Sequence, residues 1–248
     1  MRLPIKILEK TIDIIYPRRC LNCKKIITKD YFCENCDGLV SHITVKTCAK
    51  CGMPLKLCAC KWNFYYFDEI ISCFESDKVT KNSFYSFKFG GNLVGGRFFA
   101  EEMAKRIKEH SVFSNIDFIA SVPMHRSSLK ERGYDQAKSL AKNISREIKK
   151  EYVTLLWQPK KSPKQHETTV ISERFSNVFE KYKTVKKADI KDKNILLVDD
   201  IKTTGATLSQ CARELKLAGA KSVVAISALT VYPKKGEDDS KSELKNED

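Results

Sequence analysis

The chain has 248 residues, 42% of them hydrophobic, with 45 Lys+Arg against 31 Asp+Glu and a formal net charge of +14. That length holds one large domain or a medium domain with a small module, and the apolar content excludes an acidic disordered chain. The basic balance favours a polyanion partner: nucleic acid, an anionic membrane or a phosphorylated small molecule.

Residues 3–16 set Leu3, Ile7, Leu8, Ile14 and Ile15 among charges in a helical rhythm, which predicts a short amphipathic helix. Charges at Arg2, Lys6, Glu9, Lys10 and Asp13 break any apolar core of a secretory signal, and the longest apolar stretch, about 223–231, falls far short of a membrane span. A cytoplasmic chain is expected. Eight of the ten cysteines then fall between Cys20 and Cys60. They form Cys20-x-x-Cys23, Cys33-x-x-Cys36, Cys48-x-x-Cys51 and Cys58-x-Cys60.

A Cys-x-x-Cys turn aims two thiolates at one point, and a second pair completes a tetrahedron around Zn²⁺. In a cytoplasmic chain such pairs argue for metal over disulfides, with zinc preferred over an iron–sulfur cluster. Two closed, structural zinc sites are predicted. Sequential pairing (Cys20, Cys23, Cys33, Cys36, then Cys48, Cys51, Cys58, Cys60) needs the shortest loops; an interleaved pairing stays open, because spacing does not decide connectivity. Residues 1–62 are thus an N-terminal helix and a zinc module. Lys24, Lys25, Lys29, Lys46, Lys50, Lys56 and Lys61 surround the cysteines, so the module is either a phosphate-backbone contact or a metal-stapled cap on the rest.

An aromatic bridge, residues 62–67, leads into a region (63–233) where strands and helices alternate. Strands are predicted at 69–74, 116–122, 153–157, 194–198 and 222–231. Helices are predicted around 83–88 and at 93–110, 136–150, 172–182 and 206–217. This alternation predicts an α/β domain with a mostly parallel sheet flanked by helices. The polar stretch 158–169 reads as a mobile loop over a site, and the charged tail 234–248 as disordered.

The sharpest element is Val198-Asp199-Asp200-Ile201-Lys202-Thr203-Thr204-Gly205-Ala206-Thr207. A buried strand ends in two carboxylates, and a Thr/Gly turn then opens a helix. Backbone N–H groups, threonine hydroxyls and the positive helix terminus cradle a phosphate monoester, and Gly205 permits close approach. Carboxylates beside a phosphate would repel it unless they hold sugar hydroxyls or a bridging Mg²⁺.

This stretch resembles the phosphoribosyl-pyrophosphate (PRPP) loop of type I phosphoribosyltransferases. The resemblance implies that Asp199 and Asp200 are the catalytic pair, holding the ribose 2′- and 3′-hydroxyls. It also implies that Lys202, Thr203, Thr204, Gly205, Ala206 and Thr207 wrap the 5′-phosphate, with Mg²⁺ accompanying PRPP. Further blocks are similar to the ComF family of competence-associated proteins: Val122-Pro123-Met124-His125-Arg126 continuing to Arg132-Gly133-Tyr134-Asp135-Gln136-Ala137, then Phe87-Lys88-Phe89-Gly90, and Glu173-Arg174-Phe175-Ser176-Asn177-Val178-Phe179. Asp135 stands where that family commonly has Asn. A cysteine module ahead of such a domain is the family's layout. The turn after the 116–122 strand faces the same sheet end as the phosphate loop, so Arg126, Lys130 and Arg132, with Lys160, Lys161 and Lys164, are placed to neutralise a pyrophosphate.

Three functions follow from the resemblance. The favoured one is a PRPP-binding protein of natural competence that handles incoming single-stranded DNA alongside competence machinery proteins. The others are a metabolic transferase moving phosphoribose to an unidentified acceptor, and a PRPP-sensing regulator.

Overall fold

The structure, a computed structural model, describes residues 17–58, 60, 65–90, 93–159, 181–185 and 189–232, the side chains of 88–90 and 93 excepted. The predicted helix at 3–16, residues 62–64 of the aromatic bridge, most of the 158–169 loop, residues 172–180 and the 234–248 tail lie outside the described residues. Among those described, no helix is long and apolar enough to cross a membrane.

The elements in chain order are α1 (Glu34–Asp37), β1 (Glu69–Glu75), α2 (Lys78–Gly90), α3 (Leu93–Lys108), β2 (Phe118–Ser121), α4 (Arg126–Arg132) and α5 (Gln136–Ile148). There follow β3 (Glu151–Tyr152), β4 (Leu156–Trp157), β5 (Lys183–Thr184), β6 (Asn194–Lys202), α6 (Ala206–Leu217) and β7 (Ser222–Thr230). Five strands form one sheet in the order β1-β7-β6-β2-β3, and every pair in it is parallel. β4 and β5 make a separate antiparallel pair. The predicted 153–157 strand is therefore split. Val153 N still donates to Ile119 O (2.8 Å) at the sheet edge, but Leu156 and Trp157 pair with β5, and Leu155 and Leu156 are buried in the apolar cluster with Tyr182 and Ile190.

Parallel strands covered on both faces read as continuous apolar runs, because alternate residues enter different cores. On β6, Leu196 and Val198 join the core made with α2, α3 and α5, while Ile195 and Leu197 join the core made with α6. β7 does the same with Val224, Ile226 and Ala228 against Val223 and Ala225. The helix predicted at 136–150 is α5, which starts at the predicted residue and ends two residues early, at Ile148. Asp135 caps its N-terminus, accepting from Lys138 N at 2.9 Å, and its buried residues Ala137, Leu140, Ala141, Ile144 and Ile148 repeat at helical spacing.

The cysteine module closes the open edge of the sheet. Ile70 N donates to Ala49 O (2.8 Å), Ile43 N to Cys73 O (2.9 Å) and Glu75 N to Ser41 O (3.0 Å), so β1 has partners on both sides. An edge strand left bare would invite pairing with other chains. The module also shares the main aromatic core: Leu21 and Phe32 are buried with Phe74, Phe98 and Phe99, and the Phe32 and Phe98 rings meet edge-on at 5.1 Å. Tyr31 Oη donates to Glu101 Oε2 on α3 at 2.7 Å. Metal module and sheet are built as one packing unit.

Candidate functional site

β6 is the central strand, flanked by β7 and β2, and it runs four residues beyond the predicted end at Val198. Pairing with β7 continues through Asp199↔Ser227, Ile201↔Leu229 and Lys202↔Thr230, and Val231 N donates to Lys202 O at 2.9 Å. The two carboxylates thus sit on the strand itself. Asp200 N donates to Asp199 Oδ1 (2.8 Å) and Ile201 N to Asp200 Oδ1 (2.7 Å), which orients both side chains. Asp199 is only 7% exposed.

The chain then turns through Thr203 and Thr204 to Gly205, whose φ of +80° lies in the left-handed region that a side chain disfavours. Helix α6 starts there. The sequence-predicted residues Asp199, Lys202, Thr203, Thr204, Gly205, Ala206 and Thr207 line one recess together with Ile201 and Leu208. Thr203 is exposed, and Thr204 and Thr207 are half-buried. Thr204 Oγ1 accepts from Ala206 N (3.3 Å). Hydroxyls, first-turn amides and the positive end of a 12-residue helix face one small space, a combination suited to a phosphate.

Lys202 lines the recess from the base of the turn. Its side chain is 4% exposed and lies beneath the turn, with Cε 3.9 Å from where a Cβ on Gly205 would stand and 3.6 Å from one on Gly52. Burial lowers its ammonium to about 8, opposed by the thiols of Cys51 and Cys48, which favour the charged form. Arg126, Lys130 and Arg132 all lie on α4, after the carboxyl end of β2, the strand beside β6. They are exposed, and among the described residues no hydrogen bond or ion pair ties them to the turn. α4 itself was not predicted. His125 Nδ1 caps it by accepting from Ser127 N (3.2 Å), and Gly133 closes it at φ +82°.

Three residues missing from the sequence-based site surround it. Burial raises the Asp135 carboxyl, amide hydrogen bonds from Lys138 and Met124 oppose this, and the charge of Asp200 adds to the rise. Burial, then Cys211 and Asp199, push the Tyr182 phenol well above its usual range, while its oxygen meets the Thr207 side chain. Tyr65 Oη donates to Thr204 O at 3.0 Å. Asp135 carried a signal, as a capping residue within a recognised block; the tyrosines lie far from the turn in sequence and carried none.

The cysteine sulfurs gather in two sets, Cys20, Cys23, Cys33 and Cys36, and Cys48, Cys51, Cys58 and Cys60, each within 4.8 Å of one another. Close pairs are Cys23–Cys33 at 3.6 Å, Cys48–Cys60 at 3.5 Å, Cys51–Cys58 at 3.6 Å and Cys58–Cys60 at 3.3 Å. Tetrahedral zinc with bonds of about 2.3 Å needs sulfurs about 3.8 Å apart, whereas a disulfide needs about 2.05 Å. The donor sets fit zinc. Burial alone would raise Cys20 and Cys48, but backbone amides of the turns (Cys23, Cys33 and Asn22 at one, Cys51 and Lys50 at the other) pull them down to about 6 and about 7. The two remaining cysteines are core residues: burial raises Cys73 to about 12 and Cys211 well above its usual range, so neither is a reactive thiol.

Residues 91–247 match the phosphoribosyl transferase domain model, well over half of the chain. The chain belongs to that family. Residues 11–62 match the double zinc ribbon domain, in keeping with the two cysteine sets. Competence protein ComFC of Streptococcus pneumoniae is 26% identical over 200 residues, covering 79% of this chain and 86% of the relative. Competence protein ComFC of Bacillus subtilis is 26% identical over 192 residues, covering 73% and 76%. A zinc ribbon ahead of a phosphoribosyl transferase domain, with these relatives, makes this a ComF-family chain. Among solved structures, the glutamine PRPP amidotransferase of B. subtilis is similar over 54% of this chain at 18% identity and a TM-score of 0.36. This chain spans about a quarter of its length.

Proposed function

We propose that this ComF-family chain binds PRPP with Mg²⁺ at the turn between β6 and α6 and acts in natural competence, in handling incoming single-stranded DNA. The observation that carries the reading is the run from paired carboxylates on the central strand straight into a Thr/Gly turn at a helix N-terminus, with Asp199 and the turn from Lys202 to Thr207 lining one recess. Asp199 and Asp200 accept the ribose hydroxyls, and as hard oxygen donors they are the side chains suited to hold Mg²⁺. When bound, the ion neutralises part of the pyrophosphate charge. Thr203, Thr204 and Thr207, with the amides of Gly205 to Thr207, take the 5′-phosphate, and Lys202 supports the turn from below. Arg126, Lys130 and Arg132 supply positive charge at the same sheet end for the pyrophosphate. For phosphoribosyl transfer these groups position C1′ and stabilise the departing pyrophosphate, with no covalent step required of the protein.

The competence role is supported by the relatives' names and by Lys24, Lys25, Lys29, Lys46 and Lys56, which the ribbon leaves exposed. A small-molecule site does not require them. Calorimetric titration with PRPP is expected to show saturable binding that weakens without Mg²⁺; absence of heat at millimolar ligand would overturn the reading. Single-stranded DNA affinity is expected to fall steeply with salt, and a flat dependence would remove the lysines from phosphate contact.

A further inference from the structure

The two cysteine sets stand in different relations to the phosphate turn. The first is embedded in the aromatic core on the α2–α3 side, where Cys20 and Cys36 are buried with Phe98 and Phe99. The second lies directly behind the turn. Gly52, the residue after Cys51, holds φ +69°, and a Cβ there would stand 2.8 Å from Ser72 Oγ and 3.2 Å from Ile70 Cγ2. Its nearest neighbours thus include β1 and the buried stem of Lys202, so ribbon backbone, lysine and turn are stacked without a gap.

The chain that follows the second set also contacts the turn. Tyr65 Oη donates to Thr204 O, and a Cβ on Gly205 would meet Tyr65 Cε1 at 3.1 Å. The Tyr65 ring stacks on buried Phe67 at 4.9 Å. Tyr66 N donates to Ser209 Oγ in the first turn of α6 at 3.1 Å.

We propose that the second cysteine set, with its metal, is a positioning element for the phosphate turn, acting through Lys202 and Tyr65, so that affinity for a phosphorylated ligand depends on metal at Cys48, Cys51, Cys58 and Cys60 and not at the first set. The affinity half of this rests on the proposed function; the effect on the shape of the turn does not. Coupling of two binding events is reciprocal, so the ligand must also tighten metal at the second set.

The test uses the full zinc-loaded chain and compares Tyr65→Phe, Cys58→Ser and Cys23→Ser. Tyr65→Phe keeps the ring and all eight thiols and removes one hydrogen bond, so both zincs stay bound while exchange of the amides at 204–207 speeds up about three- to tenfold without ligand. PRPP–Mg²⁺ affinity falls by a similar factor. Cys58→Ser produces the same changes or larger ones, and Cys23→Ser leaves the turn's exchange unaltered. In the unsubstituted chain, PRPP–Mg²⁺ slows chelator-driven zinc release from the second set only. Unchanged exchange at 204–207 in Tyr65→Phe, or equal acceleration by the Cys23 and Cys58 variants, overturns the proposal. If either cysteine variant does not fold, Tyr65→Phe and the zinc-release measurement decide. Faster exchange without any PRPP binding would instead leave the positioning role standing and remove the ligand assignment.

Discussion

Replacing Asp199 and Asp200 together with asparagine is expected to weaken PRPP binding by about two to four orders of magnitude in calorimetry. Hydrogen bonds to a charged group contribute about 1.5–3 kcal/mol each, and the double variant removes the charge from both acceptors. Folding should survive. Asn keeps a carbonyl that can still accept from Asp200 N or Ile201 N, which preserves the local geometry of the strand. It also removes like charge from a crowded place, since the Asp135 carboxyl is already raised by burial and by Asp200. The thermal midpoint should therefore hold or rise while binding is lost. Binding within threefold of the unsubstituted chain would move the ligand away from these carboxylates.

The largest stability effect is expected from metal removal. Structural zinc contributes about 10–16 kcal/mol to folding in small zinc domains, against about 5–15 kcal/mol for the net stability of a whole domain. Here the loss reaches beyond the ribbon, because the same segment supplies the edge bonds at Ile43, Ser41 and Ala49 and buries Leu21 and Phe32 in the aromatic core. Without it, β1 becomes a bare edge beside exposed aromatic surface, and aggregation follows. Two zinc atoms per chain are expected by atomic absorption. A strong chelator should lower the thermal midpoint by more than 10 °C, with light scattering rising in parallel, since about 1 kcal/mol shifts a domain of this size by about 2–4 °C. Folded, monodisperse protein free of zinc and with an unaltered midpoint would contradict the structural role.

Local chemistry was legible in the sequence; contacts between distant segments were not. The sets of four cysteines followed from Cys-x-x-Cys turns and short loops, and the sulfurs come together in that sequential order. Helix α6 was read at its full length because Gly205 precedes it and Gly219, at φ +98°, follows it. β6 was read short. Two carboxylates and a lysine look like the end of a buried strand, yet pairing with β7 carries the backbone through to Lys202. Lys202 enters the phosphate wrap through the resemblance to the PRPP loop, and it lines the recess. Only the ribbon's approach through Gly52 reveals that the stem runs underneath. Tyr65 is 139 residues from Thr204, and no pattern within either segment announces their hydrogen bond. Arg126, Lys130 and Arg132 were assigned by sheet end, and the structure puts them at that end as exposed side chains.

In the proposed function, phosphate and ribose are held between Asp199 and Thr207. Residue-resolved NMR of the zinc-loaded chain, titrated with PRPP and Mg²⁺, tests it most directly. The amides of Gly205, Ala206 and Thr207 are expected to shift first and furthest, with Asp199 and Asp200 following and the turns of the first cysteine set unmoved. Shifts confined to the lysine-bearing ribbon, or none at saturating ligand, would contradict it.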